Sequence, residues 1–164
     1  MKKKLIMLCT GAMLLLTGCE KDPDWHKDVL EYYRTGFSTG WRNETGKWNI
    51  SDEMKSKSYT YGYLLRDLDG DGVKEFLVGI IDDAPETRFT DLYILHRDFG
   101  ATRCFTTGGE GYYYYICAGD LIRNDSWYGS KTKTEYMKYD SDNNSFPVVD
   151  VSALPEKFEL TPFQ

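Results

Sequence analysis

The stretch DLDGDGVKEFLVGII, residues 67–81, constrains the fold more than any other, because an acidic, glycine-rich segment runs directly into an apolar one. Residues 74–81 carry a nearly continuous apolar run, which predicts a largely buried strand. The segment before it places aspartates at alternate positions with glycines among them, a composition typical of a tight turn. The first expectation is therefore a turn that leads into a buried strand.

Strand and turn patterns continue along most of the chain. Strands are predicted over residues 58–68, 74–81, 89–97, 101–106, 112–117, 121–124, 127–128 and 133–139. The aspartate motif does not repeat, which argues against a β-propeller. The prediction is an α+β domain that is mostly β: an antiparallel meander sheet or a small curled barrel with one N-terminal helix packed on it.

The helix is predicted over residues 25–36. Asp24 is placed to cap it and Gly36 to stop it. Trp25, Val29 and Tyr32 or Tyr33 follow the spacing of one apolar face. After the helix, residues 36–58 have no sustained period and predict an irregular connector, with packed anchors at Trp41, Trp48 and Ile50.

The first residues have the pattern of an export signal. Three lysines precede an apolar segment, residues 5–16, that is shorter than the ~20 residues of a membrane-spanning helix. The sequence LTGC, residues 16–19, resembles the lipobox of bacterial lipoprotein precursors. The resemblance implies a signal peptide over 1–18, a diacylglycerol on the thiol of Cys19, a lipid-anchored tether over 19–24 and a single globular domain over 25–164. An ordinary signal peptide with a chance cysteine is the alternative.

Net charge limits the partners of the mature chain. Loss of residues 1–18 removes three lysines and no acid, which leaves 17 basic and 26 acidic side chains and a net charge near −9. General electrostatics therefore excludes nucleic acid as a partner. The lipid, rather than a basic patch, would hold the domain at the membrane.

The acidic segment has the composition of a calcium loop. Calcium takes about six to eight oxygen ligands at roughly 2.3–2.6 Å. Asp67, Asp69 and Asp71 occupy relative positions 1, 3 and 5, and Glu75 occupies position 9. An EF-hand needs a glutamate at position 12, where this chain has Val78, so that loop is excluded. A solvated turn without an ion is the alternative.

The spacing also resembles the D-x-D-G-D-G-x-x-D/E loops of FG-GAP and integrin-type repeats, in which the loop joins two strands. The resemblance implies Asp67, Asp69, Asp71 and Glu75 side chains, with the carbonyl of Val73, as the ligands of a structural Ca²⁺. The last position is usually Asp in those loops, so Glu75 is a conservative departure from the pattern.

A wider pattern covers about residues 24–140. The segments YGYLLRDLDGDGVKEFLVG, DLYILHRD and YYYYICAGDLI resemble a group of small lipoproteins of Gram-positive, Clostridium-like bacteria, which share the lipobox and the helix. The resemblance implies a placement at the membrane and no particular activity.

Cys104 and Cys117 are the cysteines that remain beyond the signal peptide and the lipid site. They flank TTGGEG, which predicts a hairpin turn. If Glu110 and Gly111 form a two-residue turn, positions 104 and 117 fall opposite each other. A disulfide is then possible in an exported protein, and two buried free thiols are the alternative.

Three further patterns have a functional and a structural interpretation. The aromatic residues 112–115, 127 and 128 would stack on sugars if exposed, although strand packing also explains them. The sequence DSDNNS, residues 140–145, predicts a turn rather than a second calcium site. His26 and His96 lie in different predicted elements, and no nucleophile motif accompanies them.

Binding at the cell envelope is the function that these patterns favour. We expect a non-enzymatic, calcium-stabilised lipoprotein domain on the extracytoplasmic face of a bacterial membrane, anchored through Cys19. An envelope glycan or protein would be a further partner. The alternatives are a carbohydrate- or cell-wall-binding module that uses exposed Tyr and Trp, and a small carboxylate-dependent hydrolase.

Overall fold

The computed structural model describes residues 24–42, 50, 53–96, 100–107 and 111–163. The predicted signal peptide, the lipid site at Cys19 and Trp48 lie outside the described residues. One helix, α1, spans Trp25–Thr39, and a short 3-10 helix spans Glu53–Lys55. The strands are β1 Thr60–Arg66, β2 Glu75–Ile81, β3 Arg88–His96, β4 Gly100–Thr106, β5 Tyr112–Cys117, β6 Leu121–Tyr128, β7 Lys131–Lys138 and β8 Thr161–Pro162.

The strands form one antiparallel sheet in the order β7-β6-β5-β3-β2-β1-β8, with β4 paired to β3. The prediction of an α+β domain that is mostly β is confirmed. Of the two predicted arrangements, the structure has the open antiparallel sheet, which does not close into a barrel. The helix α1 has 15 residues, and nowhere in the described ranges is there a helix long and apolar enough to cross a bilayer.

The strand β3 has two neighbours along one edge. Its residues 91–96 pair with β4, whereas Arg88 and Phe89 pair with β5. The strand β2 occupies the other edge. The predicted hairpin between the strands that carry the cysteines is therefore wrong, because β4 and β5 each pair with β3 in place of each other. β5 instead forms a hairpin with β6, in which Cys117 lies opposite Leu121.

The helix α1 runs one turn further than its sequence predicts. It passes through Gly36 and ends at Thr39. The next residue, Gly40, takes the left-handed conformation at φ 62° and donates its backbone N–H to carbonyls of the last turn. Gly36 instead allows close packing, since a Cβ there would lie 2.1 Å from Cζ3 of Trp41. Asp24 does precede the helix, but its carboxylate binds Nζ of Lys27 at 2.6 Å rather than a backbone N–H.

The helix packs on one face of the sheet and forms what we call the helix-side core. Trp25, Val29 and Tyr33 of α1 are buried against alternate side chains of the sheet. In β2 those alternate residues are Phe76, Val78 and Ile80, whereas Leu77 is buried on the other face. The near-continuous apolar run of β2 is thus explained by burial on both faces, as expected for a strand covered from two sides.

The second face of the sheet is covered by the C-terminal segment, and we call this the opposite core. Its buried members include Leu77, Phe89, Leu92, Ile116 and Ile122 from the strands, with Tyr139 and Leu160 from the covering segment. Backbone hydrogen bonds tie this segment to the sheet, for example from the Glu156 N–H to the Ile116 carbonyl at 3.0 Å. The same segment then forms β8 beside β1 and places Phe163 against the helix-side core.

Candidate metal site

The loop between β1 and β2 gathers the predicted aspartates. One carboxylate oxygen each from Asp67, Asp69 and Asp71 lies within 4.8 Å of the others. An all-oxygen cluster of this kind suits a hard cation. The three residues could therefore hold a metal ion in this arrangement.

Backbone geometry explains why the loop curls around Asp67. Gly70 and Gly72 have φ angles of 84° and 88°, a region that glycine reaches without strain. Their N–H groups donate to the two carboxylate oxygens of Asp67, at 2.7 Å and 3.0 Å. Desolvation raises the pKa of Asp67, but these backbone N–H groups outweigh it and hold the pKa below its ordinary value. The Asp67 carboxylate is therefore fixed in its charged form.

The next two aspartates are ordered in the same way. Oδ1 of Asp69 accepts the Asp71 N–H at 3.2 Å, and Oδ1 of Asp71 accepts the Val73 N–H at 2.7 Å. Oδ2 of Asp69 is buried and has no hydrogen-bond partner in the described part of the chain. A buried carboxylate oxygen without a partner is costly, and an ion or a water molecule in the loop would satisfy it.

The neighbouring cations do not neutralise the cluster. Arg66 points away and binds Oδ1 of Asp120 at 2.6 Å. Lys74 is exposed, and its carbonyl contacts Nε2 of His26 at 2.7 Å, whereas its ammonium group has no ion pair with any residue in the described ranges. The negative charge of the loop is therefore left for an ion to balance.

Glu75, the predicted fourth carboxylate, lies outside the group that the three aspartates form. Its side chain is only 2% exposed, and Oε2 accepts the Leu68 N–H at 2.8 Å. Desolvation raises the pKa of Glu75 to about 7. The hydrogen bond from the Leu68 N–H lowers this pKa, and the negative charge of Asp69 raises it further. Glu75 and the Val73 carbonyl as ligands stay predictions.

A cavity of about 480 Å³ adjoins the loop. Asp71, Val73 and Glu75 line one part of it. Other lining residues come from the region of the 140–145 turn and from β3 and β4: Leu95, His96, Gly100, Tyr139, Ser141, Asp142 and Asn144. The predicted turn is present, with Asp140 bridged to Ser145. Sequence reasoning missed that the two acidic turns face the same cavity, because neither motif contains a signal for the other.

The cysteines are both free thiols in this structure. Cys117 is buried, and burial raises the pKa of Cys104 to about 12. These thiols therefore have neither the partner of a disulfide nor the low pKa of a reactive cysteine.

The tyrosines of β5 are engaged within the protein. Arg88 lies over the ring of Tyr113 at 4.5 Å, and Arg123 lies over that of Tyr115 at 4.3 Å. On the other face, Tyr114 stacks on Phe105 with ring centroids 4.0 Å apart, and Tyr112 shares a hydrogen bond with Tyr128. Since guanidinium groups cover one ring face each of Tyr113 and Tyr115, packing accounts for these rings without a sugar.

No protein-family model, no curated protein and no solved structure matches this chain.

Proposed function

We propose that this chain is a calcium-stabilised domain held by a lipid on Cys19 at the extracytoplasmic face of a bacterial membrane, where it binds an envelope component. The observation that carries the calcium part is the convergence of Asp67, Asp69 and Asp71 oxygens within 4.8 Å. The lipid part is supported by the lipobox-like sequence at residues 16–19.

Calcium is the cation that fits this cluster best. The donors that converge are all carboxylate oxygens, with no sulfur or imidazole nitrogen among them, and hard oxygen ligands favour Ca²⁺ over transition metals. Each of these oxygens that accepts a backbone N–H retains a second lone pair for the ion. Calcium modules outside the cell bind with dissociation constants of about 10⁻⁴ to 10⁻³ M. A short loop can provide the affinity that is required there.

The ion would stabilise the fold rather than carry out chemistry. Asp67 follows the last residue of β1, and Glu75 is the first residue of β2. Neutralising the repulsion among the carboxylates would fix the turn between these strands. Because β2 is central to both cores, order in this turn would extend to the hydrophobic interior.

Calcium titration with thermal denaturation tests this proposal. At 10 mM calcium, a site with a dissociation constant of 0.1–1 mM (the range above) stabilises the folded state by about 1.4–2.7 kcal/mol. That gain corresponds to a rise in Tm of about 4–10 °C for a domain of this size. Magnesium at the same concentration is expected to give a smaller rise.

Two variants separate site binding from general charge screening. The double variant Asp69→Ala with Asp71→Ala removes two of the converging ligands and is expected to abolish the calcium response. Asp83→Asn, in the exposed loop after β2, removes one acid elsewhere and is expected to retain it. An equal rise in Tm for all three proteins would show that calcium acts through the general charge and would end the proposal of a calcium loop.

Mass spectrometry of the protein isolated from its native membranes tests the anchor independently. The expected N-terminal residue is Cys19 with a diacylglycerol on its thiol. An unlipidated Cys19 would overturn the membrane placement and leave the calcium proposal untouched.

A further inference from the structure

A second cavity lies at the C-terminal end of α1, and it has a volume of about 390 Å³. It opens between the end of the helix, residues 54–61 and the strand β8. A concave site of this volume falls in the range of small-molecule pockets, roughly 300–1,000 Å³. The residues that line it include Phe37, Trp41, Lys55, Lys57, Thr60 and Tyr61.

Aromatic rings form the walls of this cavity. Phe37 stacks on Tyr61 at 5.5 Å between ring centroids and contacts Phe163 at 5.3 Å. The indole of Trp41 meets Phe37 edge-on at 5.2 Å. These rings are held by one another and by the helix-side core, so the walls are formed before any ligand arrives.

Trp41 adopts a strained backbone conformation at the cavity wall. Its φ angle is 58°, in the left-handed region that a bulky residue rarely occupies. Such a conformation is unfavourable and persists only where its surroundings enforce it. Here the contact with Gly36, together with Tyr32 and Tyr33, holds the indole in place. Strain of this kind concentrates at ligand sites, which singles out this cavity from an ordinary surface groove.

The charge around the cavity is positive. Among the residues that the structure describes, Lys55 and Lys57 line it and no acidic side chain does. Glu53 lies next in sequence, but its carboxylate is bound by Arg88 at 2.5 Å and by the Thr107 hydroxyl at 2.9 Å. Arg88 also lies over the Tyr59 ring at 5.4 Å, and its pair with Glu53 leaves the two lysines as the net charge at the rim. The chain as a whole has more acidic than basic side chains, so the local charge at this cavity is opposite in sign to the net charge of the chain.

From these observations we propose that the cavity at the end of α1 binds a small anionic amphiphile, with an aromatic or apolar body between Phe37, Trp41 and Tyr61 and a carboxylate-like group at Lys57. Burial of the body between rings supplies the affinity, and the lysine selects the sign of the charge. This site is independent of the proposed calcium loop. The strand β1 begins at the cavity and ends at the loop, so about 20 Å separate the two.

Three probes of the same shape and different charge test the proposal. The anion is 1-naphthoate, the neutral probe is 1-naphthalenemethanol and the cation is 1-naphthylmethylamine. Isothermal titration of the full-length chain in nanodiscs of zwitterionic lipid, with empty nanodiscs as the blank, measures each affinity. The anion is expected to bind at least tenfold more tightly than the neutral probe, and the cation more weakly than either.

Two variants locate the binding. Lys57→Glu is expected to weaken the anion at least tenfold while the neutral probe changes less than twofold, and Lys131→Glu on β7 serves as the matched surface control. Thr60→Trp places a bulky ring in the cavity and is expected to abolish binding of all three probes, whereas Thr132→Trp on β7 is not. An unchanged Tm for each variant verifies the fold. Equal affinity for the three probes, or binding that survives both cavity variants, would refute the proposal.

Discussion

The backbone N–H of Leu68 donates a hydrogen bond of 2.8 Å to Oε2 of Glu75, across the base of the acidic loop. Leu68 itself is buried in the opposite core. The loop is therefore joined to the hydrophobic interior through a carboxyl group that is almost fully buried. This relationship makes Glu75 a structural residue before any ion is considered.

Glu75→Gln is expected to flatten the pH dependence of stability. The pKa of Glu75 is about 7 in the folded protein and 4.5 ordinarily, so the folded state holds this proton to a higher pH than the unfolded chain does. The stabilisation is complete below about pH 4.5 and is lost as the pH rises through about 7. In EDTA at pH 8, the Gln variant is expected to be more stable by about 2–3 kcal/mol.

Urea denaturation between pH 4 and pH 8 measures this difference. Gln retains an oxygen for the Leu68 N–H, so the variant changes the charge and little else. Parallel curves of unfolding free energy against pH for the two proteins would contradict the assignment.

A buried ion pair between Asp91 and Arg103 gives a second prediction. Asp91 is fully buried, neither of its oxygens has a hydrogen bond among the described residues, and Nη1 of Arg103 lies 3.6 Å from Oδ1. Desolvation raises the pKa of Asp91 to about 6, so this carboxylate costs stability as the pH rises from about 4 to about 6. The double variant Asp91→Leu with Arg103→Met is expected to be as stable as the native protein at pH 7.5, or more stable by about 1–4 kcal/mol.

The single variant Arg103→Met is the informative comparison. It removes the cation beside the buried Asp91 carboxylate and is expected to lose about 3 kcal/mol at pH 7.5, as measured by chemical denaturation. A double variant less stable than the native protein would show that the pair contributes net stability.

Glycine substitutions in α1 and at the residue that caps it are expected to distinguish close packing from backbone conformation. Ala is the better helix former by about 1 kcal/mol, yet Gly36→Ala is expected to lose about 1–3 kcal/mol because its Cβ would collide with the Trp41 ring. Gly40→Ala meets no side chain but needs a positive φ, so it is expected to lose about 1–2 kcal/mol.

The near-ultraviolet circular dichroism of tryptophan separates the two cases. Gly36→Ala is expected to change this signal because the indole must move, whereas Gly40→Ala is expected to leave it unchanged. The reverse pattern would mean that Trp41 does not pack on the helix as described.

Alkylation is expected to find both cysteines of the sheet as thiols. Protein unfolded in denaturant without reductant should take one label at Cys104 and one at Cys117, identified by peptide mass. In the native state labelling should be slow, since Cys117 is buried and the pKa of Cys104 is about 12. A disulfide-linked peptide containing both cysteines would contradict the strand pairing.

Local patterns predicted most of the fold, and failed where a choice between distant partners decided the outcome. The strand β2 was predictable because its apolar run reports burial directly. The partners of β4 and β5 were not predictable. The turn-like sequence between these strands favours a hairpin, whereas in the structure both strands pair with the long edge of β3. The strand β8 has only two residues, too few for a recognisable strand pattern, and it is defined by its pairing with β1.

The candidate site divides in the same way. The converging aspartates lie within five residues of sequence, so their spacing alone predicts the cluster. The cavity beside them is different, because Tyr139 and Asn144 reach it only through the order of the whole sheet. Likewise, the sequence alone does not distinguish Gly36, which makes room for the Trp41 ring, from a glycine that ends a helix.

The segment that ends in β8 contributes side chains to both hydrophobic cores. Phe158 and Leu160 fill the opposite core, and Phe163 closes the helix-side core against Tyr33 at 5.1 Å between ring centroids. The helix α1 covers one face of the sheet, yet both cores are completed by this one segment. Detachment of this segment, by proteolysis or by local unfolding, would therefore expose the two cores together.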